Sequence, residues 1–257
     1  MKLSIIIPSC NNGKWLGKCL ESILNQTFTD YEIIVVDDFS TDDSVEVSKK
    51  YLRKQDTLII NNSKRYNGGT RNVGILKAKG EYIFCIDSDD WLYNNTVLED
   101  AFKKINNEDI CYLSYISHTK DYDLMTNINF RSIGEALTSM TCAIWTKIVK
   151  RELLLKCLFK EGTLYEDREQ NYRLLLNKPT FVNSGIVGIV WNRTNTNTIS
   201  GNMTKEWETY RFNYCGDLYR LIKDMDDYYI DGINIKEYIK EELKGYMQQC
   251  NKLVDEL

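Results

Sequence analysis

"EYIFCIDSDDW", residues 81–91, begins on an apolar run and ends on three carboxylates, Asp87, Asp89 and Asp90, with Ser88 between the first two. The apolar part, Tyr82 to Ile86, suits a strand buried on both faces. Carboxylates at the tip of such a strand are costly. Two unit charges about 4 Å apart repel by roughly 4 kcal/mol at an effective dielectric near 20. The cluster therefore faces open water or meets a cation.

The same pattern recurs upstream. "LSIIIP" and "YEIIVV" read as two further buried strands, and "TLII" as a third strand. Between them, apolar positions 16, 19, 20, 23 and 24 recur with helical spacing after Asn11-Asn12-Gly13. A second helix carries Val45, Val47, Tyr51 and Leu52, and a third runs from "YNGGTRN" through Ala78 and closes at Gly80. Strand–helix alternation with continuous apolar strands predicts an α/β chain built on a parallel sheet with helices on both faces. Function in such sheets gathers at the carboxyl ends of the strands. Those ends read "PSCNN", "DDFSTDD", "NNSKRYNGG" and "DSDD", all polar and two of them dense in acid. An isolated Asp-x-Asp is a weak signal. Placed after a buried strand, with a second acid pair ending another, it marks a site for a hard cation such as Mg²⁺ or Mn²⁺, shared with substrate phosphates.

Composition narrows the function classes. The chain has 257 residues and a net charge of -4, which implies no general affinity for nucleic acid. No apolar run approaches the roughly 18 residues of a membrane span, and "MKLSIIIPSCNN" is broken too soon for a signal peptide. The expectation is a cytoplasmic protein whose membrane association, if any, is peripheral at the inner face. Eight cysteines are scattered without a Cys-x-x-Cys pair, which predicts reduced thiols. His118 is the single histidine and no nucleophile motif accompanies it, so hydrolysis by a Ser–His or Cys–His pair is excluded; His118 reads as a surface or loop residue.

The second half is less regular. Residues 96–105 read as a helix, "DICYLSYI" as a strand, 117–131 as a loop or hairpin, and "CAIWTKIVKRELLL" as a strand running into a helix. A helix starts near Asp167 in "LYEDREQNYRLLL", "TFVNSGIVGIVW" returns as a strand, and "NRTNTNTISGN" reads as a mobile polar segment. "WETYRFNYCGDLYRLI" is an aromatic-rich helix, and apolar residues at 235, 239, 243, 246, 250, 253 and 257 form a near-heptad stripe. That stripe packs within the chain or makes a homodimer. Glu166 and Asp167 either cap their helix or supply a general base. Arg71 in "GGTRN" either reaches a phosphate or pairs with Asp37 or Asp38. Trp91 reads as a half-buried aromatic at a helix entry or as a sugar platform, and Trp145 and Trp191 as core residues or acceptor contacts.

"SIIIPSCNNGKWLGKCLESILNQTFTDYEIIVVDDFSTDDS" followed by "GGTRNVGILKAKGEYIFCIDSDDW" resembles the nucleotide-binding half of family-2 glycosyltransferases over about the first hundred residues. The resemblance implies a GT-A, Rossmann-like α/β fold: a mostly parallel central sheet flanked by helices. It divides residues 1–200 into a nucleotide-binding half, 1–110, and an acceptor half, 111–200, with 201–257 as a C-terminal helical extension. It also implies inverting transfer of a sugar from a nucleotide-sugar, usually UDP-linked, to a glycan or lipid-linked acceptor in surface polysaccharide or glycoconjugate synthesis. Position by position, Pro8 and Ser9 fall where the family's first strand meets the nucleoside. Asp38 matches the acceptor of a uracil hydrogen bond. Asp87 matches a ribose or metal-water contact, with Ser88 and Arg71 beside it, and Asp89 the direct ligand of Mn²⁺ or Mg²⁺. Asp167 matches the general base, and Arg193 a basic position near the diphosphate. Two departures stand out: Cys10 replaces an aromatic residue, and Phe39 replaces the glycine of "DDGS".

Two other readings stay open. A sugar nucleotidyltransferase would carry a Gly-rich, basic triphosphate loop after the first strand, which "PSCNNGKW" lacks. A non-catalytic nucleotide- or carbohydrate-binding module would have little use for both Asp89 and Asp167.

Overall fold

The computed structural model describes residues 1–139, 141–163, 166–196 and 214–247. The first hundred residues form the expected alternation: β1 (Leu3–Ser9), α1 (Gly13–Leu24), β2 (Tyr31–Asp37), α2 (Ser44–Tyr51), β3 (Thr57–Ile60), α3 (Tyr66–Lys77) and β4 (Tyr82–Cys85). Every residue of β1, β2 and β4 is buried, as continuous apolar runs in a two-sided sheet require. β1 pairs in parallel with both β2 and β4, and β2 pairs in parallel with β3. Parallel pairing sends all four carboxyl ends to one edge, so residues 86–90 meet residues 9–13 and 37–44 there.

The second half completes the sheet. It contains β5 (Trp91–Leu92), α4 (Val97–Lys104), β6 (Ile110–His118), β7 (Asp123–Thr126), α5 (Ile133–Thr138), β8 (Lys147–Lys150), α6 (Arg151–Lys156), α7 (Asp167–Leu176) and β9 (Phe181–Asn192). The strand order is β3-β2-β1-β4-β8-β6-β9-β5, with β7 on β6. β8 runs antiparallel to β4 and β6, while β6 and β9 are parallel. The sheet is thus parallel across its first four strands and mixed beyond. Residues 117–131 are a hairpin in part, closed by His118 opposite Asp123. Trp91 does not enter a helix. It lies in β5, paired with Val190 of β9, because Asp90 directs the chain along the sheet edge through a bond from the Asn192 amide.

Alternation along the strands sorts the core into two layers. Ile5 and Ile7 face α1 and α4, together with Leu16, Leu20, Ile33, Val35 and Leu98. Ile6, Ile34, Val36 and Ile83 face the opposite side, with Ile75 of α3, Leu154 of α6 and Leu175 of α7. The described C-terminal residues join this second layer: a helix over 214–222 (α8), the short hairpin β10 (Tyr229–Ile230) and β11 (Ile233–Asn234), and α9 (Ile235–Met247). Leu218, Ile235, Ile239 and Leu243 are buried there. The first positions of the near-heptad stripe therefore pack within the chain; 250, 253 and 257 lie outside the described residues, as do 201–213 of the expected extension and 197–200 of the polar segment. All the described cysteines are free thiols, and among the described residues no helix is long and apolar enough to cross a membrane.

Candidate active site

Arg71 organises the site. It sits midway along α3, and its side chain is 2% exposed. Its guanidinium donates to Asp87 Oδ1 at 2.7 Å, to Glu166 Oε1 at 2.5 Å and to Asp167 Oδ1 at 3.2 Å. One cation thus ties the acids after β4 to the acids that open α7, which lie 95 and 96 residues away from Arg71 in the chain. Burial works against the charge on Arg71, but Asp87, Asp167 and Glu166 outweigh it and hold its pKa well above the ordinary arginine value. Neither Asp37 nor Asp38 takes part. The alternative that paired Arg71 with them is corrected: the guanidinium binds Asp87 and the two acids at the start of α7 instead.

Glu166 stands at the N-cap of α7 and Asp167 in its first turn, where carboxylates suit the helix dipole, although the Glu166 side chain makes no capping bond. Their side chains differ in access. Glu166 is 5% exposed and Asp167 23%. Burial, with Asp167 alongside, pushes Glu166 up to about 7, and burial raises Asp167 against the pull of Arg71. Beneath them Lys147, first residue of β8, is buried and donates to the Cys142 and Ala143 carbonyls, each at 2.9 Å. Burial drags Lys147 down to about 8, while Cys142 and Asp167 resist. The sequence reading passed over Lys147. A lysine inside the apolar run "AIWTKIV" was the signal.

The other acids of "DSDD" have separate partners. Asp89 Oδ2 accepts from Asn195 Nδ2 at 2.8 Å, and Asn195 also donates to Asn12 Oδ1 at 3.2 Å. Asn12 in turn donates to Ser88 Oγ at 2.9 Å. Asp90 is buried, takes the Asn192 amide on Oδ1, and leaves Oδ2 without a partner. Burial and then the Asp87 charge lift Asp89 to about 6; burial, Asp89 and Asp87 raise Asp90 well above the carboxylate range. These are the marks of an edge short of positive charge. Hard oxygen donors in that state fit Mg²⁺ or Mn²⁺. Among the described residues no group of three or more His, Cys, Asp or Glu side chains forms a complete cage.

The nucleotide-facing candidates line the neighbouring strand ends. Pro8 and Ser9 end β1; Ser9 Oγ is buried without a partner. The Asp38 amide donates to the Ser9 carbonyl at 2.7 Å. The Asp38 carboxylate is buried and accepts from Asn61 Nδ2 at 2.9 Å, the Arg65 amide at 2.8 Å and the Tyr66 amide at 2.9 Å. Arg193 follows β9 and is exposed, with its guanidinium 4.9 Å from the Trp191 ring centre. Arg193 therefore stands beside an aromatic group rather than among the acids. The Trp145 and Trp191 rings lie 5.9 Å apart and tilted by 35°, with Tyr115 edge-on to both. Trp145 is buried and belongs to the core, whereas Trp191 is half-buried. His118 is half-exposed, bonded to Asp123 at 2.7 Å and edge-on to Trp91. Asn12 and Asn195 had no signal of their own in the sequence. Asn195 lies 106 residues from the carboxylate it binds.

The chain is similar to known glycosyltransferases. GlyG, a glycosyltransferase of Streptococcus pneumoniae, is 29% identical over 208 residues, covering 72% of this chain and 69% of that protein. The poly(ribitol-phosphate) beta-glucosyltransferase of Bacillus spizizenii is 41% identical over 116 residues, which is 43% of this chain but only 18% of that longer protein. Among solved structures, Staphylococcus aureus TarS 1–349 in complex with UDP-GlcNAc superposes with a TM-score of 0.71 at 20% identity, covering 98% of this chain and 73% of that one. The fold is GT-A, and the enzyme class is glycosyltransferase. A model of the family described as "Glycosyl transferase family 2" matches residues 4–164, a span that holds β1 to β4, Arg71 and the whole acid cluster at 87–90. The chain belongs to glycosyl transferase family 2.

Proposed function

We propose that this glycosyltransferase moves a sugar from a UDP-sugar to an acceptor hydroxyl by direct displacement, inverting the anomeric centre, with Asp167 as general base. The observation that carries the reading is the Arg71 guanidinium held between Asp87 and Asp167. It sets the donor-side acids and a carboxylate from a different segment within one side chain's span. An in-line displacement needs a base on the side opposite the departing diphosphate, and a carboxylate from a different segment than the donor-side acids can supply it. A sugar hydroxyl is a poor nucleophile, and a positioned carboxylate typically contributes about 10²–10⁴-fold by taking its proton. Asp167 is the more accessible of the adjacent acids, so it meets the acceptor; Glu166 is the deeper one and fixes Arg71.

On the donor side, Pro8, Ser9 and Asp38 hold the nucleoside, Ser88 orients the loop through Asn12, and Asp89 with Asp87 holds Mn²⁺ or Mg²⁺. When bound, that ion supplies Lewis-acid neutralisation of the diphosphate charge. Asn195 holds Asp89 in place. Arg193, exposed beside Trp191, serves the diphosphate from solvent. The acceptor is a glycan or lipid-linked glycoconjugate of a cell-surface polymer. The poly(ribitol-phosphate) named for the Bacillus relative makes a polyol-phosphate chain the first acceptor to try. The UDP-GlcNAc bound by TarS makes an N-acetylhexosamine the first donor.

Thermal unfolding with a panel of nucleotide-sugars, with and without Mn²⁺, tests the donor side, since a ligand held at a hundred times its Kd stabilises by about 2.7 kcal/mol. The expected result is stabilisation by UDP-sugars that depends on Mn²⁺ and is lost in Asp89→Ala. Equal stabilisation with and without the ion would overturn the metal assignment.

A further inference from the structure

Six non-glycine residues among those described hold a left-handed φ: Asn11, Phe39, Tyr66, Asn107, Lys178 and Asp231. Asparagine and aspartate tolerate that region; a bulky aromatic does not, and pays strain to stay there. Phe39 (φ 65°) and Tyr66 (φ 61°) are the aromatics, and both adjoin the same carboxylate. Phe39 follows Asp38 directly, and the Tyr66 amide donates to Asp38 Oδ2. Both rings reach solvent, Phe39 at 57% exposure and Tyr66 at 37%. Nothing in the core accounts for either.

The loop that carries Phe39 is anchored. The Asn11 amide donates to Ser40 Oγ at 2.9 Å and the Thr41 amide to Asn11 Oδ1 at 2.7 Å, so the ends of β1 and β2 are latched together. Tyr66 opens α3, with the Lys64 ammonium 5.1 Å from its ring centre. Between them, Asp38 has used three of about four acceptor positions, two on Oδ1 and one on Oδ2. One position on Oδ2 stays open to a further donor.

We infer that Phe39 and Tyr66, whose backbones adjoin Asp38, are the aromatic platform for the donor's nucleobase, beside the carboxylate already matched to a ring N–H of the base. This rests on the nucleotide-sugar reading above and adds the residues that recognise the base. Flat π-faces favour any base, while the open Asp38 position selects bases with a ring N–H: the imide of uracil or the N1–H of guanine, not cytosine.

Titration calorimetry of the full chain with UDP, GDP and CDP in Mn²⁺ buffer tests this, alongside thermal unfolding. Glycine fits both left-handed positions without strain, so Phe39→Gly and Tyr66→Gly fold. Each is expected to raise the unfolding midpoint by about 2–4 °C while weakening the preferred diphosphate about tenfold. Phe39→Leu, which keeps bulk but not the ring, is expected to weaken it similarly, and Phe39→Trp to retain it. CDP binds wild type at least tenfold less well than the preferred nucleotide. Wild-type binding that Phe39→Gly and Tyr66→Gly both leave within twofold would overturn the platform alone. A wild type that binds none of the three would overturn the donor reading and the platform with it.

Discussion

At the residue scale the account turns on one buried cation and the carboxylates around it. Removing Arg71 takes away the charge that keeps Asp167 ionised. Burial already raises Asp167, and Arg71 is the main force lowering it. A base works only when deprotonated, so kcat/KM falls as pH falls, and its acid limb lies above the roughly 4 of an ordinary carboxylate. Arg71→Gln is expected to move that limb to still higher pH; a limb that stays in place would show that Asp167 is not the titrating base. Part of this site was readable in the chain. The acids at 87–90 and 166–167 stood out because carboxylates beside buried apolar runs need a reason. What joins them was not readable: Arg71 had several acids in plausible reach, and only the folded chain, which brings the start of α7 to the Arg71 guanidinium, chose between them. Asn195 illustrates the limit more sharply, since one amide in a polar stretch carries no pattern.

At the element scale, α7 is held from behind by α9. Arg168, the residue after the candidate base, donates from Nε and Nη2 to Glu242 at 3.1 Å each. Glu242 also accepts from Tyr214 at 2.6 Å and from Tyr172. Arg168 and Glu242 are both largely buried, with side chains 7% and 12% exposed. Breaking one side of such a pair strands the other charge and typically costs about 3–5 kcal/mol. Glu242→Ala is therefore expected to lower stability by about that amount in urea unfolding, and a loss under about 1 kcal/mol would mean the network is not formed. Continuous apolar runs identified β1, β2 and β4 because a two-sided sheet leaves no other place for them, whereas β3 is a half-buried strand at the sheet edge. β5, β10 and β11 have two residues each, too few to carry a period. Hence Trp91 looked like a helix entry when it was a strand.

At the scale of the whole molecule, the parallel sheet explains why distant loops share one edge, and the antiparallel β8 explains how the second half reaches it. Lys147 begins β8, and β8 lies directly against β4, so the floor beneath Asp167 is continuous with the strand that ends at the acids. The C-terminal stripe was ambiguous because an intramolecular face and a dimer seam share the same spacing. Burial of Ile235, Ile239 and Leu243 in the second core layer resolves the described part in favour of the former. The central claim is that donor and acceptor chemistry meet across Arg71, with Asp167 acting on the acceptor alone. Its most direct test is Asp167→Asn, assayed for sugar transfer from UDP-sugar and, separately, for UDP-sugar binding. The account predicts that kcat falls about 10²–10⁴-fold while the donor Kd changes less than about threefold, as for a group used only in the transition state. Turnover within tenfold of wild type, or a loss of donor affinity that matches the loss of rate, would contradict it.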